Sequence, residues 1–215
     1  MKREVEALNN VDHPLVIKYI EYFITKDGKV HIVTEFAQQG TLDDILKSEK
    51  MRPKSENEIL SCFTMILLGL QHIHDKKVIH RDLKPENILV GANGLLKIGD
   101  FGVSKVISHT KSNAKTTKAM TTPYFKAPEL IKDLPHTTKV DMWAAGVILY
   151  LMCTKKYPFE ASNNEESALI YKILEQPHPA VENFSPSMKE LIDSLLTKDP
   201  TKRPSIDEVL EFPKI

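Results

Sequence analysis

The chain has 215 residues, enough for one domain with a substantial core or for a large lobe plus part of another. Its 41% hydrophobic and 27% charged content is ordinary for a globular protein and argues against a disordered or fibrous chain. Lys plus Arg equals Asp plus Glu at 29 each, so no overall field favours a nucleic-acid or membrane partner and function has to be local.

Glu4 to Leu8 reads as the end of a helix, closed by Asn9-Asn10 and by Pro14, whose ring cannot continue it. Val16 to Thr25 and Lys29 to Phe36, rich in branched and aromatic residues, flank Asp27-Gly28, a dipeptide suited to a tight turn with positive φ. That pattern predicts an antiparallel hairpin. Thr41-Leu42-Asp43-Asp44 reads as a capping box opening a short helix, and Ser55-Glu56-Asn57-Glu58 as a stronger one. The second precedes Ile59, Phe63, Ile66, Leu67, Leu70 and Ile73 at helical spacing, so a long amphipathic helix is expected.

A second hairpin is signalled by Asn93-Gly94 between Ile88-Leu89-Val90 and Leu95-Leu96-Lys97-Ile98. Ser108 to Met120, rich in Ser, Thr and Lys, has the composition of a surface loop. Beyond Pro128 the pattern is helical: a buried helix around Asp141 to Met152, an amphipathic one carrying Met188, Leu191, Ile192, Leu195 and Leu196, and a final short helix capped by Ser205-Ile206-Asp207-Glu208. The apolar run Trp143 to Cys153 is too short to cross a bilayer. Met1 leads straight into Lys2-Arg3-Glu4, which is not a signal-peptide pattern. Cys62 and Cys153 sit in apolar stretches without metal-ligand spacing, which favours buried reduced thiols and a cytosolic (cytoplasmic) or nuclear protein.

The chemistry concentrates in His80-Arg81-Asp82-Leu83-Lys84-Pro85-Glu86-Asn87, then Asp100-Phe101-Gly102, then Ala127-Pro128-Glu129. Three motifs in this order, joined by a hairpin, resemble the serine/threonine protein kinase family over essentially the whole chain. The resemblance implies an α+β, protein-kinase-like fold with a complete helical C-lobe and a partial β N-lobe. Residues 1–36 would form the partial N-lobe, the end of helix C and a hairpin, and 37–215 the hinge and C-lobe with catalytic loop and activation segment.

It further implies ATP and Mg²⁺ as cofactors and protein substrates as partners, with an upstream kinase or regulatory subunit and no nucleic acid or membrane. Phosphoryl transfer asks mainly for positioning and for charge neutralisation, which accounts for each residue type. By resemblance, Asp82 accepts or orients the proton of the substrate hydroxyl, Lys84 contacts the transferred phosphoryl, and Asn87 with Asp100 holds Mg²⁺, whose preference is for hard oxygen ligands. Lys84 points to Ser or Thr as acceptor, and the branched Val103 to Thr in particular.

Thr34 matches the gatekeeper; backbone groups of Glu35 and Ala37 would bond adenine, with Leu89 as the floor. As an apolar residue beside a hairpin, Leu89 reads equally well as core. Arg81 implies control by a phosphate at Thr116, Thr117 or Thr121. Thr122 would serve the substrate-binding turn, where Thr121 stands in place of the family's usual Gly, and Glu86 could attract a basic substrate residue. Leu8, Tyr19, His80 and Phe101 match a regulatory spine, Asp141 a support for the catalytic loop, and Glu129 with Arg203 a buried ion pair. Among kinases, the run from Lys97 to Lys105 and the Asp141-Met142-Trp143 helix are most similar to the NIMA-related group, with calcium/calmodulin-type kinases as the alternative.

Glu4 matches the regulatory helix glutamate, but its strand lysine and the Gly-rich phosphate loop are not among these residues, and no glycine precedes Gly28. Two expectations follow: a kinase whose record is truncated, with little turnover from the 215 residues alone, or a natural short form that binds partners as an inactive scaffold.

Overall fold

The computed structural model describes residues 12–100, 105–106, 123–161 and 165–212. Within them, β1 (Tyr19–Ile24) and β2 (Val30–Thr34) form the first antiparallel hairpin. Gly28 sits at φ 81° in its turn, a conformation that explains the Asp27-Gly28 signal. The strands are shorter than the apolar pattern predicts: the register shifts between Tyr19 and Glu21, and beyond Tyr19 the pairing is continued only by the Glu35 N–H bond to Lys18 O. Val16 and Ile17 instead reach across to Ile98.

Helix α1 (Leu42–Lys47) begins at Thr41 and α2 (Glu56–Asp75) at Ser55, both with reciprocal capping boxes. One face of α2 buries Ile59, Phe63, Ile66, Leu67, Leu70, Ile73 and His74. A side chain at Gly69 would place its Cβ 2.6 Å from Leu15 O, so its absence lets the segment entering β1 lie directly on α2. Short β3 (Val78–Ile79) pairs with β6 (Lys105–Val106). The second predicted hairpin is β4 (Ile88–Val90) with β5 (Leu96–Ile98).

After a 3₁₀ turn at Pro123–Phe125 come α3 (Pro128–Ile131), α4 (Lys139–Thr154), α5 (Glu166–Glu175), α6 (Pro186–Leu195) and α7 (Ile206–Leu210). Every residue of α4 from Val140 to Tyr150 is buried, the mark of a helix surrounded by others. Each large apolar side chain there stabilises by about 1.5–3 kcal/mol. Contacts with α2 and α6 make α4 the axis of the helical core.

The Glu129–Arg203 pair is present and buried, with both guanidinium nitrogens on the carboxylate at 2.7 and 3.0 Å. Cys62 and Cys153 are free thiols as expected, but half-buried against the core rather than fully enclosed in it. Among the described residues no helix is long and apolar enough to cross a membrane.

Candidate active site

Strand β3 delivers the chain to His80, and β4 with β5 returns it to Asp100, so the site is built between two short ladders. His80 is fully buried. Its Nδ1 accepts the Asp82 N–H at 3.3 Å, which leaves Nε2 to donate to Gly99 O at 2.9 Å. The imidazole thereby ties the loop to the residue preceding Asp100.

Arg81 adopts φ 70°, a left-handed conformation costing a side-chain-bearing residue roughly 1–2 kcal/mol. Asp141, projecting from the first turn of α4, holds it there. One carboxylate oxygen accepts the Arg81 N–H at 2.8 Å, and the other accepts the His80 N–H and His74 Nε2, each at 2.9 Å. Burial opposes the Asp141 charge, yet the His74 bond and the Arg81 N–H keep its carboxyl below the ordinary value. The buried anion is thus the fixed point from which the loop hangs.

The Asp82 side chain is 13% exposed, and its Oδ2 accepts from Lys84 Nζ and Asn87 Nδ2, both at 2.9 Å. Asn87 Nδ2 also donates to Asp82 O at 2.7 Å. Asn87 ends the 3₁₀ turn Pro85–Asn87, and its carbonyl accepts the Gly99 N–H at 2.8 Å, bringing Asp100 beside it. The hairpin carries Asp100, at φ 51°, back to the Asn87 end of the loop.

Thr34 closes β2, and Glu35 and Ala37 follow. The segment then runs along β4, through Gln39 N–H to Val90 O and Val90 N–H to Gly40 O, with Thr41 bridging half-buried Leu89. Glu86 is exposed and lies in the electrostatic field of Lys47 and Tyr157 rather than with Asp82. Tyr157 stacks on Tyr124, in the turn preceding α3, at 4.4 Å.

The protein kinase domain profile matches residues 1–214. The chain belongs to the protein kinase family. It is 36% identical over 211 residues to the mouse serine/threonine-protein kinase Nek1, covering 98% of this chain and 17% of that protein. To human Nek5 it is 37% identical over 215 residues, covering 99% of this chain and 30% of the relative. To the putative serine/threonine-protein kinase A of Trypanosoma brucei brucei it is 38% identical over 216 residues, covering 99% and 49%. The chain thus spans less than half the length of these curated relatives. The NIMA-related likeness read from the sequence agrees with them.

The fold brings Asp82, Lys84, Asn87 and Asp100 to one end of the β4–β5 ladder, and the segment that carries Thr34, Glu35 and Ala37 is tied to that ladder at Glu35 and Gln39, with Leu89 on β4 itself. Glu4, Leu8, Phe101, Val103, Thr116, Thr117, Thr121 and Thr122 lie outside the described residues. Two partners escaped the sequence reading. His74 was open to detection, since it falls seven residues after Leu67 in the buried stripe of α2, where a polar ring needs a partner. Lys97, whose Nζ contacts both Glu35 oxygens at 2.7 and 2.9 Å, gave no such signal.

Proposed function

We propose that the protein transfers the γ-phosphoryl group of ATP to serine or threonine hydroxyls of proteins, with Asp82 as the base. The observation that supports this most directly is the Asp82 carboxylate, flanked at 2.9 Å by both Lys84 and Asn87 in a loop pinned to α4. A substrate hydroxyl set against Asp82 would give up its proton there as its oxygen attacks the γ-phosphorus and the bond from that phosphorus to the ADP oxygen breaks, releasing ADP. Lys84, beside it, would meet the negative charge on the transferred group.

Asn87 and Asp100 would hold Mg²⁺, which neutralises phosphate charge when bound. The donor set fits: the Asn87 amide nitrogen is committed to Asp82, so its oxygen remains for a hard cation, and Asp100 adds a carboxylate. One or two such ligands suffice for an ion that takes its other sites from phosphates and water.

The adenine would lie between the backbone of Glu35 and Ala37 and the Leu89 side chain, with residues 1–36 forming the lobe above it. The Arg81 Nε is buried without a hydrogen-bond partner among the described residues, and burial works against its charge, so a phosphate on Thr116, Thr117 or Thr121 would find a receptive cation. For substrate selection, Thr122 and Glu86 are the assigned residues. Lys47, ion-paired to Asp43 at 2.6 Å, already places a cation in the field of Glu86, which lessens the demand for an arginine in the substrate.

The test is Asp82→Asn in the full-length protein, assayed with Mg-ATP and a generic Ser/Thr peptide. Loss of a positioned base lowers turnover by roughly 10²–10⁴-fold. Turnover within a few-fold of the unsubstituted protein would remove Asp82 from the role.

A further inference from the structure

The Glu35 side chain is held more tightly than an exposed connecting segment requires. Lys97 lies in β5 between buried Leu96 and Ile98, so strand alternation sends its side chain away from the core. It is 17% exposed and the Glu35 side chain 31%. Lys97 Nζ bonds both carboxylate oxygens, and the Lys18 N–H donates to Oε1 at 2.8 Å. The Glu35 N–H donates in turn to Lys18 O at 2.9 Å. Residue 35 is thus fixed at its N–H and at both carboxylate oxygens, while no backbone bond among the described residues engages its carbonyl.

Apolar packing does not do this work. Phe36, the next residue, is 84% exposed and anchors nothing. Backbone bonds tie the segment to β4 at Gln39 and Gly40, and at residue 35 its position over β5 is held by the ion pair together with the two bonds to Lys18. Burial favours the neutral Glu35 carboxyl, but the bonds from Lys97 and Lys18 prevail and hold it below its ordinary value, so the carboxylate is charged at neutral pH.

We propose that Lys97 is a positioning residue for nucleotide selection: by clamping the Glu35 side chain it fixes the Glu35 carbonyl where a 6-amino purine can donate to it. This rests on the kinase reading of Glu35 and Ala37. A 6-oxo purine presents an acceptor at the same place, and two facing acceptors repel. Discrimination then depends on the carbonyl being unable to retreat, which is what the clamp supplies.

The experiment measures ATP and GTP affinities by displacement of a fluorescent ATP analogue from the full-length protein, together with KM for peptide. Lys97→Met lowers the ATP-to-GTP affinity ratio by roughly three- to tenfold, the worth of one neutral hydrogen bond, and leaves peptide KM unchanged. Lys97→Arg restores most of the ratio, because a guanidinium meets a carboxylate with two parallel bonds. A folded Lys97→Met protein with the original ratio overturns the inference and leaves the kinase reading intact. Absence of nucleotide binding by the unsubstituted protein overturns both. Should Lys97→Met fail to fold, Glu35→Gln, which keeps size and removes the charge, is read by the same ratio.

Discussion

Helix α4 and the β1–β2 hairpin are both rich in apolar side chains, yet they place them oppositely. From Val140 to Tyr150 nothing on α4 meets bulk solvent, whereas Ile20, Phe23, Ile24 and Ile32 on the hairpin are 48–57% exposed. Charged groups nevertheless lie in or against the α4 core, among them Asp141, Arg203 and Glu129, each bonded to named partners. A buried polar group stays put because leaving its partners costs a desolvated charge, and that immobility is handed to the His80–Asn87 loop through Asp141. The hairpin has no such interior. Its base is set by the Lys97–Glu35 pair instead.

The largest effect that can break this comparison is at Arg203. Its guanidinium also donates to Thr197 O at 3.1 Å, Lys139 O at 2.6 Å and Lys198 O at 3.4 Å, so Arg203→Met strands Glu129 and takes a donor from three carbonyls together. Removing one partner of a buried pair costs about 3–5 kcal/mol. Unfolding in urea should show that loss, and Glu129→Met combined with Arg203→Met should recover much of it. A single substitution costing less than about 1 kcal/mol would mean that the pair is not a pin of the core.

A pair of substitutions sharpens the contrast at smaller scale. A Cβ at Gly146 would lie 2.7 Å from Leu195 Cβ and 3.1 Å from Leu196 Cδ2, with little room to give. Gly146→Ala should therefore cost about 1–3 kcal/mol through overpacking between α4 and α6. Ile24→Thr, at a hairpin position 57% exposed, should stay within about 0.5 kcal/mol. Equal losses in thermal or urea unfolding would show that the hairpin is as integral to the core as α4.

Local features of this fold were legible in the sequence because their causes are local. The capping boxes at Thr41, Ser55 and Ser205 each close within four residues, and the turns at Gly28 and Gly94 need positive φ wherever they occur. Asp82, Lys84 and Asn87 fall within one short loop, so their meeting follows from the motif itself. Strand limits were less legible, since they depend on where a partner strand stops. Lys97 and Glu35 stand 62 positions apart, and nothing in either neighbourhood names the other. The sequence could show that Lys97 faces away from the core, but not what it would find there.

Lys198 offers the smallest and most selective test, since it sits on the boundary of the buried region. Its Nζ lies 3.9 Å over the Phe159 ring and 5.1 Å over Trp143, and donates to Ile173 O at 2.6 Å near the end of α5. Burial, with repulsion from Arg203 and against attraction to Glu175, pushes its ammonium down to about 8. An unfolded lysine titrates near about 10.4. Between these values the unfolded chain binds more protons than the folded one, so stability rises as pH increases from about 8 to about 10 and is flat below that window. The side chain is only partly buried, which discounts the gain to a few tenths of a kcal/mol up to about 1 kcal/mol. Lys198→Met removes the titration, so the stability difference between unsubstituted and variant proteins should move in favour of the former on going from pH 7 to pH 10. Parallel pH profiles would mean that the two aromatic faces and the Ile173 carbonyl compensate for burial completely, and that Lys198 belongs with the fully satisfied polar pins of the core.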